Sequence, residues 1–84
     1  MDKLHKYINS LSINEQIAFA IYCGTSIQYI RKIISSGGKL LFGPVICVKI
    51  ESWTQGSVSR KDLRPNDWHE IWPELAKKEK QKVA

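Results

Sequence analysis

No apolar run in this 84-residue chain approaches the roughly 18 residues that a membrane span requires. The opening Met1-Asp2-Lys3 leads into no apolar stretch of the signal-peptide kind, so a cytoplasmic protein is expected. Cysteine is scarce. Cys23 and Cys47 fit neither a metal-ligand spacing nor a dense disulfide framework, and both are expected as buried, reduced thiols. His5 and His69 belong to no cluster with metal-ligand spacing, so surface positions are expected for both and no cofactor or metal is implied. Nothing pairs a nucleophile with a base, sets two carboxylates together or builds a phosphate-binding loop, and no enzymatic activity is expected. Repeats, low-complexity stretches and linkers are missing too. The reading is one domain over residues 1–75 followed by a flexible basic tail at 76–84, with a core too modest for an enclosed catalytic cleft.

Acidic residues are absent from Gly24 to Ile50. The formal net charge of +5 and a pI near 9.4 point toward a polyanionic partner. Part of the excess sits at the end, where four lysines follow Ala76 against one glutamate. That tail reads either as a solvated terminus or as an arm adding nonspecific phosphate attraction.

What is present is helical patterning. Leu4, Ile8 and Leu11 fall at i, i+4, i+7 and predict a first helix over Lys3 to Leu11. Ser12-Ile13-Asn14-Glu15 has the form of a capping box and opens a second helix to about Cys23, with Ile17, Ala18, Ala20 and Ile21 expected inside. Gly24 stops it, since glycine tolerates a positive φ. Thr25-Ser26-Ile27-Gln28 offers another capping box for a third helix reaching Ser35 or Ser36, broken by Gly37-Gly38. Gly43-Pro44 begins a fourth helix carrying Ile46, Ile50 and Trp53 inward, although the β-branched run Val45-Ile46-Cys47-Val48 leaves a strand open. Ser59 caps a short turn through Leu63, ended by Pro65, and a last segment spans Asn66 to Trp72. Of Leu40, Leu41 and Phe42, core positions are favoured over a dimer surface. Core or subunit packing is likewise favoured for Trp53, Trp68 and Trp72 over base stacking. The fold expected is all-α, a compact bundle of about five helices, with an α+β form carrying a small C-terminal β element as the alternative.

The third helix separates its chemistry by side. With Gln28 at zero on a wheel of about 100° per residue, Lys32 falls near 40°, Ser35 near 340° and Arg31 near 300°. Ile27, Ile30, Ile33 and Ile34 occupy the opposite arc, at about 140–260°. A solvated helix face mixes both signs, and this one carries no acid. Glutamine pairs bidentately with adenine and Arg or Lys with guanine in the major groove, while Asn14 and Gln16 at the start of the second helix are placed to hold phosphates, with Lys39 beyond the third.

Gln16 to Ser35 resembles the helix-turn-helix of phage Cro and lambda-type repressors. That pattern has a small fifth residue and a glycine ninth, met here by Ala20 and Gly24. Its apolar positions fall on Phe19, Cys23, Thr25, Ile30 and Ile33, of which Thr25 is more polar than usual. The resemblance implies base contacts at Ser26, Ile27, Gln28, Arg31 and Lys32, with Ile27 either touching a thymine methyl or packing. It implies phosphate contacts at Gln16, with Asn14, Ser35 and Lys39 added from the residues themselves. A second likeness covers Gly56-Ser57-Val58-Ser59, Leu63-Arg64-Pro65 and Asp67-Trp68, which is similar to the ending of prophage Cro-like and YdaS-type antitoxin-like repressors. Together they imply a repressor that binds a pseudo-palindromic double-stranded operator as a homodimer and occludes a promoter. Two alternatives stand beside it: an antitoxin that also represses its own operon and binds a toxin, and a protein-interaction module without DNA.

Overall fold

A computed structural model describes residues 2–76. Its helices are α1 (Asp2–Asn9), α2 (Ile13–Tyr22), α3 (Ile27–Ser35), α4 (Pro44–Trp53), α5 (Arg60–Leu63) and α6 (Trp68–Ile71), with one more helical turn over residues 73–76. Among the described residues there is no strand, so the architecture is all-α, in more and shorter pieces than five. The basic tail, apart from Ala76, lies outside the described residues. No helix among them is long and apolar enough to cross a membrane.

The run Val45 to Val48 is helical despite its β-branching. Extended backbone at Gly43 and Pro44 in the first turn start the helix, proline presetting the φ that helix entry needs. Helical spacing then buries Cys47 and Ile50 together, while Ile46 and Trp53 pack half-buried at the edge of the core.

The core draws two residues from each long helix: Leu4 and Ile8, Phe19 and Ala20, Ile30 and Ile33, Cys47 and Ile50. Phe19 sits between Tyr7 and Trp53, ring centroids 5.8 and 5.7 Å away in edge-on contacts, the geometry aromatic quadrupoles favour. Cys23 and Cys47 are buried free thiols, and burial pushes each pKa up to about 11. α3 and α4 both pack on α2, and α5 packs on α4.

The inward set of α2 differs from the expected one. Of Ile17, Ala18, Ala20 and Ile21 only Ala20 is buried, and Phe19 is the large residue that enters the core. Ile17 is 46% exposed and Ile21 70%, and Ile13 ahead of them is 76% exposed. α2 is apolar over most of its circumference, so its pattern does not mark which arc faces inward. The loop also departs from expectation, since Phe42 is fully buried while Leu40 and Leu41 stay exposed. α1 ends at Asn9 rather than Leu11.

Helix ends follow local chemistry. Ser12 and Glu15 close both bonds of the α2 capping box. At the other end, the Gly24 N–H bonds the Ile21 carbonyl at 2.9 Å and the Thr25 N–H bonds that of Ala20 at 3.0 Å. This is the Schellman pairing, with Gly24 at φ +79°. Closing α2 uses the Thr25 N–H, so the extended Ser26 becomes the cap of α3 and accepts from the Tyr29 N–H. The expected box of Thr25 with Gln28 does not form. α4 ends by the same pairing with Gln55 in the left-handed position, φ 52°.

The segment after α4 is tied inward. The buried Thr54 hydroxyl donates to the Ile50 carbonyl and accepts from the Val58 N–H. Ser59 and Asp62 form a reciprocal cap. Arg64 grips Asp67 through two bonds of 3.0 and 2.7 Å and donates to the Phe42 carbonyl at 2.6 Å. Trp72 is buried and Trp68 half-buried against the core, with the Arg60 and Lys61 cations over their rings at 5.2 and 4.6 Å. His5 and His69 are exposed.

The hydrogen bonds from Arg64 hold the Asp67 carboxyl below its ordinary 3.8. Asp62 is lowered too, because although burial opposes it, bonds from Ser59 and the nearby Lys3 ammonium outweigh that. For both, the unfolded chain takes up the proton first, so their stabilisation is complete above pH 3.8 and vanishes as pH falls through the lower folded values. Thermal melts should therefore show a midpoint that drops as pH falls below 3.8, and Asp67→Asn should flatten that drop. Gly24→Ala should cost about 1 kcal/mol in a urea melt, because the added Cβ disfavours the left-handed backbone.

Candidate nucleic-acid interface

α3 is nine residues with its apolar and polar sides cleanly separated. Ile30 and Ile33 are buried and Ile27 and Ile34 half-buried against the core. Gln28, Arg31, Lys32 and Ser35 lie on the outer side, all exposed, with Ser26 exposed at the N-cap. No other part of the described chain covers them. Asn14 in the first turn of α2 and Lys39 past the end of α3 are exposed as well. Among the described residues Asn14, Gln28, Lys32 and Lys39 make no side-chain hydrogen bond or ion pair, so their polar groups are free for a partner. The Ser35 hydroxyl is turned back onto the helix, donating to the Arg31 carbonyl at 2.7 Å.

Gln16 is the member of the set whose place is most informative. Its Nε2 donates to the carbonyls of Ile8 and Leu11, at 3.2 and 3.1 Å, closing the C-terminal end of α1. With both amide protons so engaged, Oε1 must face outward, where it accepts from Arg31 Nη2 at 2.9 Å. A single side chain thus joins α1, α2 and α3 and aims the guanidinium. Arg31 carries five N–H donors, so this bond leaves others for a ligand. The sequence places Gln16 at the first position of the helix-turn-helix pattern but gives no sign that it meets Arg31 fifteen residues on.

The two helix starts differ electrostatically. The first turn of α2 carries Glu15, whose carboxyl is lowered by the Ser12 N–H and hydroxyl and places a negative charge there. The first turn of α3 carries no acid, and its N-terminal dipole favours anions unopposed. Asp2 and His5 of α1 share a hollow with Arg31 and Ser35, which brings one carboxylate to the rim of the surface. On the opposite rim, Ile17, Ile21 and Ile27 border a groove that runs up to Gln28.

Gln16→Ala removes the donors of two α1 carbonyls and the acceptor of Arg31. It should cost about 1 kcal/mol in a denaturant melt, and the 15N relaxation of Arg31 Nε should report a more mobile guanidinium. No protein-family model matches the chain, and no curated protein matches it in sequence.

Proposed function

We propose that the chain is a sequence-specific double-stranded DNA-binding transcriptional repressor of the Cro type, acting at a phage or prophage operator by promoter occlusion. One observation carries this reading. The Gln28–Arg31–Lys32 side of α3 is uncovered, free of acid and mostly unpaired, while isoleucines hold the helix from behind. Exposed carboxamide, guanidinium and ammonium groups on one helix face, the guanidinium keeping donors beyond its bond to Gln16, match the donor and acceptor pattern of base edges in a major groove. The likeness to Cro and lambda-type repressors over Gln16 to Ser35 supports it.

In this reading Gln28, Arg31 and Lys32 contact base edges, with Ser26 and Ile27 at the entering end of the helix. The N-terminal turn of α2, through Asn14, and Ser35 and Lys39 set the register on phosphates. Given its bonds to α1 and Arg31, Gln16 contributes chiefly by fixing the guanidinium. Two copies read half-sites about 34 Å apart as a two-fold pair, and the bound dimer excludes polymerase from an overlapping promoter. The antitoxin alternative draws on the ending from Gly56 to Trp68. There Ser59, Asp62, Arg64 and Asp67 bond within the chain, which accounts for that likeness through folding rather than through a toxin.

Selection of bound duplexes from a random pool should return a two-fold symmetric consensus. On that sequence Gln28→Ala or Arg31→Ala should cost about 1–3 kcal/mol and relax preference at one base pair per half-site. Lys39→Ala should weaken selected and random duplexes alike and reduce the slope of log K against log[salt] by about 1. Equal losses on selected and random duplexes for Gln28→Ala would remove that residue from the base-reading set.

A further inference from the structure

We infer that the hollow between α1 and the end of α3 seats one phosphate of the bound duplex in each half-site, with a protonated His5 as its cation, so that operator binding takes up a proton. The inference rests on the DNA-binding reading and adds a site beside the recognition helix. The hollow, about 520 Å³, is lined by Asp2 and His5 from α1 and by Arg31 and Ser35 from α3, and it ends at Gly37 and Gly38. Three features suit it to a phosphodiester. An added Cβ at Gly37 or Gly38 would meet nothing within 4 Å, so a sugar–phosphate chain can come close to that end. The last-turn carbonyls of α3, which would repel an anion, are occupied: the Ser35 hydroxyl donates to those of Arg31 and Lys32, and the Ser36 hydroxyl to that of Ile33. His5 is exposed and has no hydrogen bond or ion pair among the described residues, so its ring is free to donate.

The occupant follows from continuity and charge. Arg31 and Ser35 lie on the same side of α3 as Gln28 and Lys32, so a duplex on that side runs its backbone past the hollow. Arg31 gives Nη2 to Gln16 and, in the reading above, its other donors to base edges. Lys3 pairs with Asp62 at 3.4 Å, and Lys6 does not line the hollow. The charged and titratable groups around His5 there are Asp2 on its own helix and Arg31 from α3. Asp2 opposes a phosphate. With His5 neutral, an arriving phosphate meets that carboxylate uncompensated. With His5 charged, the carboxylate is balanced and the ring donates to a phosphate oxygen. Histidine is the side chain that ordinarily changes charge between pH 5 and 8, so binding tightens as pH falls across that range.

The test is the dissociation constant of a selected operator from pH 5 to 8 at fixed salt. Binding should be about fivefold tighter at the acid end, the upper worth of an exposed ion pair. The slope of log K against log[salt] should be steeper there by about 1. His5→Gln, at an exposed position, should remove both differences, whereas changing the chain's other histidine, His69→Gln, should keep them. Asp2→Asn should tighten binding at the alkaline end. Replacing operator phosphates one at a time by neutral methylphosphonate should find one position per half-site that abolishes the pH dependence. Affinity independent of pH, or a dependence that survives His5→Gln, overturns the inference and leaves the DNA reading intact. A dependence that no single methylphosphonate removes, or unchanged affinity in Asp2→Asn, overturns the hollow as the phosphate's seat. If no duplex sequence is selected at all, the DNA reading fails and the inference fails with it.

Discussion

The rotation of α3 about its own axis is fixed by Ile30 and Ile33, and the rest of the surface depends on that. These two side chains, one helical turn apart, enter a core already filled by Leu4, Ile8, Phe19 and Phe42. Each contributes about 1.5–3 kcal/mol by leaving water. Any rotation that hid Arg31 would have to expose them. The outward arc is consequently held open by burial on the inward one, with no dedicated support on its own side beyond the Gln16–Arg31 bond. A polar face held in this way is fixed without being covered.

Two further constraints decide where that rigid helix starts. The Schellman closure of α2 at Gly24 consumes the Thr25 N–H, which moves the cap of α3 to Ser26 and leaves Gln28 unengaged. Had Thr25 capped the helix as the spacing suggested, the Gln28 carboxamide would have been spent on the backbone. Gln16 adds the third fixed point, because its two amide protons are taken by α1 and only its oxygen remains for Arg31. The end of α1, the start of α2 and the middle of α3 are therefore tied together through one side chain.

Much of this was legible in the amino-acid order. The all-α fold, the stop at Gly24, the capping box at Ser12, the cap at Ser59 and the isoleucine side of α3 depend on local rules of spacing and capping. The Gln28, Arg31 and Lys32 face followed from the same periodicity. What was not legible depends on tertiary competition. α2 is apolar around most of its surface, so the pattern could not tell that Phe19 and Ala20 go in while Ile17 and Ile21 stay out. Leu40, Leu41 and Phe42 are equally apolar, and contacts from other elements, the Arg64 and Cys47 bonds to the Phe42 carbonyl and the edge-on Tyr29 ring, mark which of them is drawn inward. The Gln16–Arg31 contact joins residues on different helices and leaves no trace in spacing.

The most direct measurement is a 15N-edited NMR titration of the protein with a mixed-sequence duplex at low salt. Progressive shifts should concentrate on the amides of residues 26–32, on the first turn of α2 and on the Arg31 and Gln28 side chains, with the exposed Val45 and Val48 of α4 unmoved. Shifts confined to α4 and the segment after it, or none at any duplex concentration, would contradict the assignment of α3 as the DNA-facing helix.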